Sequence, residues 1–208
     1  INNNFPPSDN LYATIVEDET GDASSNYDIQ KVSGSFSSDW DNELIDRLFV
    51  SLDLNGNCCE EGGIFGPWYL YGVGIVNPEA DQADGSAGTA YALGYGAGGF
   101  GQLSPGLLKI SGDLASGEVG GFEYLNTTYF NYSTSGDKLK VGVNASDLFN
   151  DPDFGVWPNS LQGLVLLGVT VEVSLSGVDI VPSIKDQTDP GILLLTSQHQ
   201  EGNYSLML

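Results

Sequence analysis

LQGLVLLGVTVEVSLSGVDIVP, residues 161 to 182, opens as a continuous apolar run and then alternates. Val169, Val171, Val173 and Leu175 fall on one side of a two-residue repeat. Thr170, Glu172, Ser174 and Ser176 fall on the other, which is the pattern of a half-buried strand. The stretch has the length of a membrane helix, but Glu172, Asp179, Gly163, Gly168 and Gly177 interrupt it, and its β-branched residues favour a pleated surface. It reads as a long central strand, a turn at Ser176-Gly177 and a short strand ended by Pro182.

Outward from this strand the rest of the chain follows the same short period. Residues 11–16, 29–37, 44–54, 67–76, 89–101, 107–111, 121–130, 138–143, 192–196 and 204–208 are strand candidates, and residues 44–54 place Leu48, Val50, Leu52 and Leu54 on one face. Loops rich in Gly, Asp and Asn separate them, and residues 147–160 form a loop with one helical turn. The expected fold is all-β: an antiparallel β-sandwich of jelly-roll type with about 10–12 strands and little helix. Residues 1–10, INNNFPPSDN, have the composition of an extended tail, and residues 11–208 form a single domain.

The chain has 208 residues of which 40% are apolar, enough for one substantial core. Six Lys plus Arg against 28 Asp plus Glu give a formal charge of -22, so the surface repels nucleic acid and anionic lipid. Neither is expected as a partner, and no membrane insertion is expected. The first residue is Ile1 and no charged-then-apolar leader precedes it, which reads as a mature chain, its signal peptide removed, at the cell surface or beyond. Sequons at Asn126, Asn131, Asn144 and Asn203 are candidate glycosylation sites on such a surface. Cys58 and Cys59 are the only cysteines; being adjacent, they allow a vicinal disulfide, two thiols or an intermolecular pair.

Catalytic chemistry finds little support. The only histidine, His199, lies in the polar loop SQHQEGN, and no nucleophile elbow, zinc-protease, phosphate-loop or dinucleotide motif occurs. With 28 acids some carboxylate pair will always lie at a glycosidase-like separation, so abundance carries no information, and the chain reads as a non-enzyme. No cofactor is required. Calcium is the one candidate ion, because hard cations take clustered oxygen ligands from loops. Asp18, Asp22 and Asp28 in one acidic loop, and Glu79, Asp81 and Asp84 in another, are the candidate ligands; the same loops read equally well as solvated turns. Trp40, Trp68, Tyr69, Tyr71 and Trp157 offer rings for stacking on sugars, a role that competes with packing in the core.

The run VEDETGDASSNYDIQKVSGSFS, followed later by DKLKVGVNASDL and VDIVP, resembles the DOMON and family-nine carbohydrate-binding type of sandwich. The matching residues are Asp18, Gly21, Asp22, Asp28, Ile29, Asp179 and Pro182. The resemblance implies a jelly-roll-like sandwich with calcium near Asp18 and Asp22, and glycans as partners. In general character, a secreted, sequon-bearing, Lys-poor β-sandwich with an extended tail is also similar to subunits of archaeal surface threads, bundling pili and cannulae. That likeness implies a homopolymer in which each subunit donates a terminal strand to the next.

The leading expectation is therefore an exported structural subunit of an extracellular filament, with residues 1–16 as the donated segment through Ile1, Phe5, Leu11, Tyr12 and Ile15. The groove beside Val169, Val171, Val173 and Leu175 is the expected acceptor, since an open sheet edge is hazardous unless a strand covers it. The alternative is a secreted carbohydrate-binding module.

Overall fold

The computed structural model describes residues 14–37, 47–59, 68–78, 88–97, 105–112, 121–155, 163–176 and 179–193. They form twelve strands and one short helix: β1 Thr14–Glu17, β2 Ile29–Ser37, β3 Arg47–Leu54, β4 Trp68–Val76, β5 Gly88–Ala97, β6 Gly106–Gly112, β7 Gly121–Tyr124, β8 Phe130–Ser135, β9 Lys138–Asn144, α1 Ala145–Phe149, β10 Leu164–Ser176, β11 Asp179–Gln187 and β12 Gly191–Leu193. Two antiparallel sheets pack face to face. The five-stranded sheet runs β1-β2-β3-β9-β8, and the seven-stranded sheet runs β11-β10-β4-β5-β6-β7, with β12 also paired to β10.

Winding is by meanders. β1 to β3 stay in the first sheet and β4 to β7 in the second, each strand pairing antiparallel with the next in sequence. Two non-local pairings, β3 with β9 and β4 with β10, then close each sheet through its middle. The run of residues 121–130 is two strands, not one: β7 ends at Tyr124, and β8 begins at Phe130 in the other sheet.

Packing between the sheets explains which residues line the core. Leu48, Leu52 and Leu54 of β3 are buried against Tyr71, Val73 and Ile75 of β4, Leu93 of β5, and Leu164 and Leu166 of β10, within one cluster. A Cβ added at Gly34 of β2 would run into the Leu166 side chain, and one added at Gly168 of β10 would run into that of Val32. Each glycine is thus the seat of a side chain from the opposite sheet, which makes the approach close.

β10 departs from expectation in two ways. Its inward face is Leu164, Leu166, Gly168 and Thr170, all buried, whereas Val165, Leu167, Val169 and Val171 lie half-buried on the outer face. At Gly168 the inward face has no room for a larger side chain, because Val32, Thr188 and Leu52 come close there, and Thr170 turns its hydroxyl to Tyr27 O. Secondly, both edges of the strand are paired within the chain: Val165 to Val173 with β4, and Val169 to Ser176 with β11. The groove expected beside Val169, Val171, Val173 and Leu175 is therefore filled by the chain's own strands and is not an acceptor. Pro182 does not end β11, which continues to Gln187; no other strand pairs with this part of β11 among the described residues, so the missing N–H of proline is tolerated.

The outer face of the seven-stranded sheet is apolar. Register sets Leu167, Val169 and Val171 beside Gly74, Gly72 and Leu70 of β4, and these beside Ala92, Gly94 and Gly96 of β5. Ala92 and Ala90 adjoin Leu108 and Ile110 of β6, Tyr124 of β7 follows, and Ile184 and Ile192 stand 60% and 54% exposed on the other flank. Gln187 is the polar member, and none of these residues is charged. Antiparallel sheets that face water on one side ordinarily carry polar residues there.

Gly168→Val is expected to lower stability by about 1–3 kcal/mol through overpacking against Val32 and Leu52. A lower denaturant midpoint with an unchanged m-value is the expected reading.

Candidate functional site

The loop between β1 and β2 builds the most chemically distinctive site. Asp18 N–H donates to Gln30 O (3.0 Å), and the chain turns at Gly21, whose φ of 98° suits glycine. Tyr27 and Asp28 N–H both return to Ser24 O, at 2.7 and 2.9 Å. This folded loop presses the Asp28 carboxylate into the protein, where it is 0% exposed. Asp28 Oδ2 accepts from Gly21 N–H (2.7 Å) and Asn55 Nδ2 (2.9 Å), while Oδ1 has no hydrogen-bond partner among the described residues.

Asp186 of β11 reaches the same point from the other sheet. Its Oδ2 accepts from Ile29 N–H at the start of β2 (2.5 Å) and its Oδ1 from Gln187 N–H (2.8 Å). Thr170 Oγ1 donates to Tyr27 O (2.9 Å), so the loop is also tied to β10. Oxygens of Asp22, Asp28 and Asp186 lie within 4.8 Å of one another. Burial pushes the Asp186 carboxyl above the ordinary range, with Asp22 and Asp18 adding to this against the two backbone donors. Asp18 is raised too, by burial first and then by Asp22, Asp189 and Asp28.

An open groove of about 470 Å³ adjoins the cluster, lined by Asp22, Ala23, Ser24, Tyr27, Glu172 and Lys185. Tyr27 packs against Tyr69 (ring centroids 5.0 Å) and Tyr71 (6.3 Å), and Lys185 pairs with Glu172 at 3.3 Å. Such a groove offers a ring, a hydroxyl and charges of both signs.

The structure brings Asp22 and Asp28 together as expected and adds Asp186, which sequence reading missed. Its signal was hidden because Pro182 reads as the end of a strand, leaving SIKDQTD as loop. Glu79, Asp81 and Asp84 lie outside the described residues, as do Ile1, Phe5, Leu11, Tyr12, Asn203, His199, Trp40 and Trp157. Ile15 pairs with Ser33, so the end of the expected donor segment belongs to the chain's own sheet. Cys58 and Cys59 form a disulfide. Asn126 is exposed and Asn131 half-buried. Asn144 is buried, and its Nδ2, the atom a glycan would modify, donates to Thr128 Oγ1 (3.0 Å); this sequon serves the fold instead. Asp147 completes that network by accepting from Thr128 N–H and Oγ1.

A second charged cluster is structural. Asp151 accepts from Lys109 Nζ (2.9 Å), Tyr91 Oη (3.0 Å) and Asp153 N–H (2.9 Å), pinning the turn after α1 to β5 and β6. Burial alone would raise the Asp151 carboxyl, but the Lys109 ammonium and the other donors outweigh it and hold it below the ordinary range. Burial, together with Asp151 and Asp153, raises Tyr91 far above the ordinary phenol range.

Comparison with protein-family models, curated proteins and solved structures finds no match for this chain.

A carboxyl depressed in the folded state stabilises above its unfolded pKa, and that contribution disappears as pH falls through the folded value. Asp151→Asn is therefore expected to cost about 1–3 kcal/mol at pH 7 and to flatten the loss of stability below about pH 4, read by urea midpoints across pH.

Proposed function

We propose that this chain is an exported structural subunit that assembles with copies of itself into an extracellular filament. The observation that carries the reading is the uncharged outer face of the seven-stranded sheet on a chain of net charge -22. Copies so charged repel one another over most of their surface, and association is least opposed where no charge is buried. Exposed apolar side chains such as Ile184 and Ile192 at one flank of this face are also the kind that mark an interaction site. The Cys58–Cys59 disulfide and the exposed Asn126 support an oxidising, extracellular setting.

The joint in this reading has two parts. One is the apolar face; the other is a strand donated from the residues ahead of β1, which hold Ile1, Phe5, Leu11 and Tyr12. Electron microscopy of the native material is expected to show filaments. Deleting residues 1–10, or Val169→Glu on the face, should leave a folded monomer by circular dichroism and remove the polymers. Polymers that survive both changes, or native material that is monomeric throughout, would sink the idea.

One observation favours a second reading, a carbohydrate-binding module: the groove beside Tyr27 combines an aromatic ring with Asp22, Glu172 and Lys185. Calorimetry against a glycan panel is the check. Binding that disappears in Tyr27→Ala and Glu172→Gln, with the fold retained, would favour this module over the filament subunit; no binding across the panel rejects it.

A further inference from the structure

We propose that Asp22, Asp28 and Asp186 form a binding site for a hard divalent cation of the calcium class, set where the loop ahead of β2 meets β11 of the opposite sheet. The inference is independent of the assembly reading. Their oxygens lie within 4.8 Å of one another. Calcium binds oxygen at about 2.3–2.6 Å, so two oxygens on one ion lie up to about 5 Å apart, and this spacing lets all three carboxylates share an ion.

The second observation is the state of Asp28. It is 0% exposed, and among the described residues Oδ1 has no hydrogen-bond partner although Oδ2 has two. A buried carboxylate oxygen left without a donor is costly, and a bound cation is one of the few partners that satisfies it. Asp18 Oδ2, in the same loop, is a second buried oxygen with no partner.

Four of the protein's six basic side chains are paired elsewhere. Among the described residues Lys31 and Lys138 pair with Asp53, Lys109 with Asp151 and Asp153, and Lys185 with Glu172; no basic side chain pairs with Asp22, Asp28 or Asp186. The donor set is all oxygen, without His or Cys, which favours calcium or magnesium over zinc, copper or iron. Carboxylates from a folded loop, a strand and an exposed turn form an irregular set, and calcium accepts irregular coordination where magnesium demands an octahedron.

The hydrogen bonds of Asp28 and Asp186 show what the ion would join. Asp28 is anchored to Gly21 and Asn55 on the five-stranded side, and Asp186 to Ile29 and Gln187 from the seven-stranded side. A cation between them adds a clasp across the edge of the sandwich.

The test uses the full chain, stripped with chelator and titrated with CaCl₂ by calorimetry and by thermal melting. It is run in about 0.15 M KCl, where diffuse attraction to surface charge is screened beyond roughly 8 Å. One saturable site and a calcium-dependent rise in melting temperature are expected, with magnesium the weaker ligand. Asp22→Asn, at an exposed side chain, is expected to weaken calcium binding by about tenfold or more while leaving the melting temperature in chelator no lower, since it removes a charge that repels Asp18 and Asp186. Asp186→Asn should do the same to binding, and because it also disturbs the bond from Ile29, the Asp22 variant decides the matter. Absence of a saturable site, or calcium affinity untouched by Asp22→Asn, would overturn the assignment.

Discussion

Reciprocal packing at two glycines governs this sandwich. Leu166 of the seven-stranded sheet sits over Gly34 of the five-stranded one, and Val32 sits over Gly168 in return. Because each sheet supplies both a projecting side chain and a seat without one, the two layers interlock at this register. That register sets which face of β10 points inward, and it places Thr170 to hold Tyr27 and the loop before β2. The acidic cluster thus exists because the sheets close on one another at this point. Without it, Asp186 and Asp28 would belong to separate surfaces.

Charge is distributed unevenly over the result. The edge where β2 meets β11 concentrates Asp18, Asp22, Asp28 and Asp186, while the outer face of the seven-stranded sheet carries none among its described residues. The few basic residues are spent on structural pairs such as Lys109 with Asp151. Repulsion therefore acts strongly at one edge and weakly on one face, which suits an ion at the first and association at the second.

Periodicity made most of the strands legible. β2 has the bounds that alternation suggests, and Leu48, Val50, Leu52 and Leu54 of β3 do share the core face. Alternation in β10 named the two faces correctly but not which one is inward: valines outnumber small and polar residues on the face that ends up outside. Hydrophobicity alone favours burying the valines, and the steric demand of Val32 and Leu52 overrides it. In β11 the proline read as a terminator is an edge-strand residue, a distinction that depends on how many neighbours the strand has. That misreading concealed Asp186. Asn144 shows the same limit, since a sequon looks alike whether its amide is exposed or, as here, bonded to Thr128 inside the fold.

By itself the sequence determined the all-β class, the positions of most strands, the strong negative charge and the acidic character of the loop before β2, because all of these are local properties of composition and spacing. Only the tertiary structure decided that β10 is interior with both edges paired, that the described residues on one sheet face carry no charge, and that Asp186 joins Asp22 and Asp28 across more than 150 residues of chain. Those outcomes depend on which strands pair and which side chains find room between the sheets, and both are set by contacts between residues far apart in sequence.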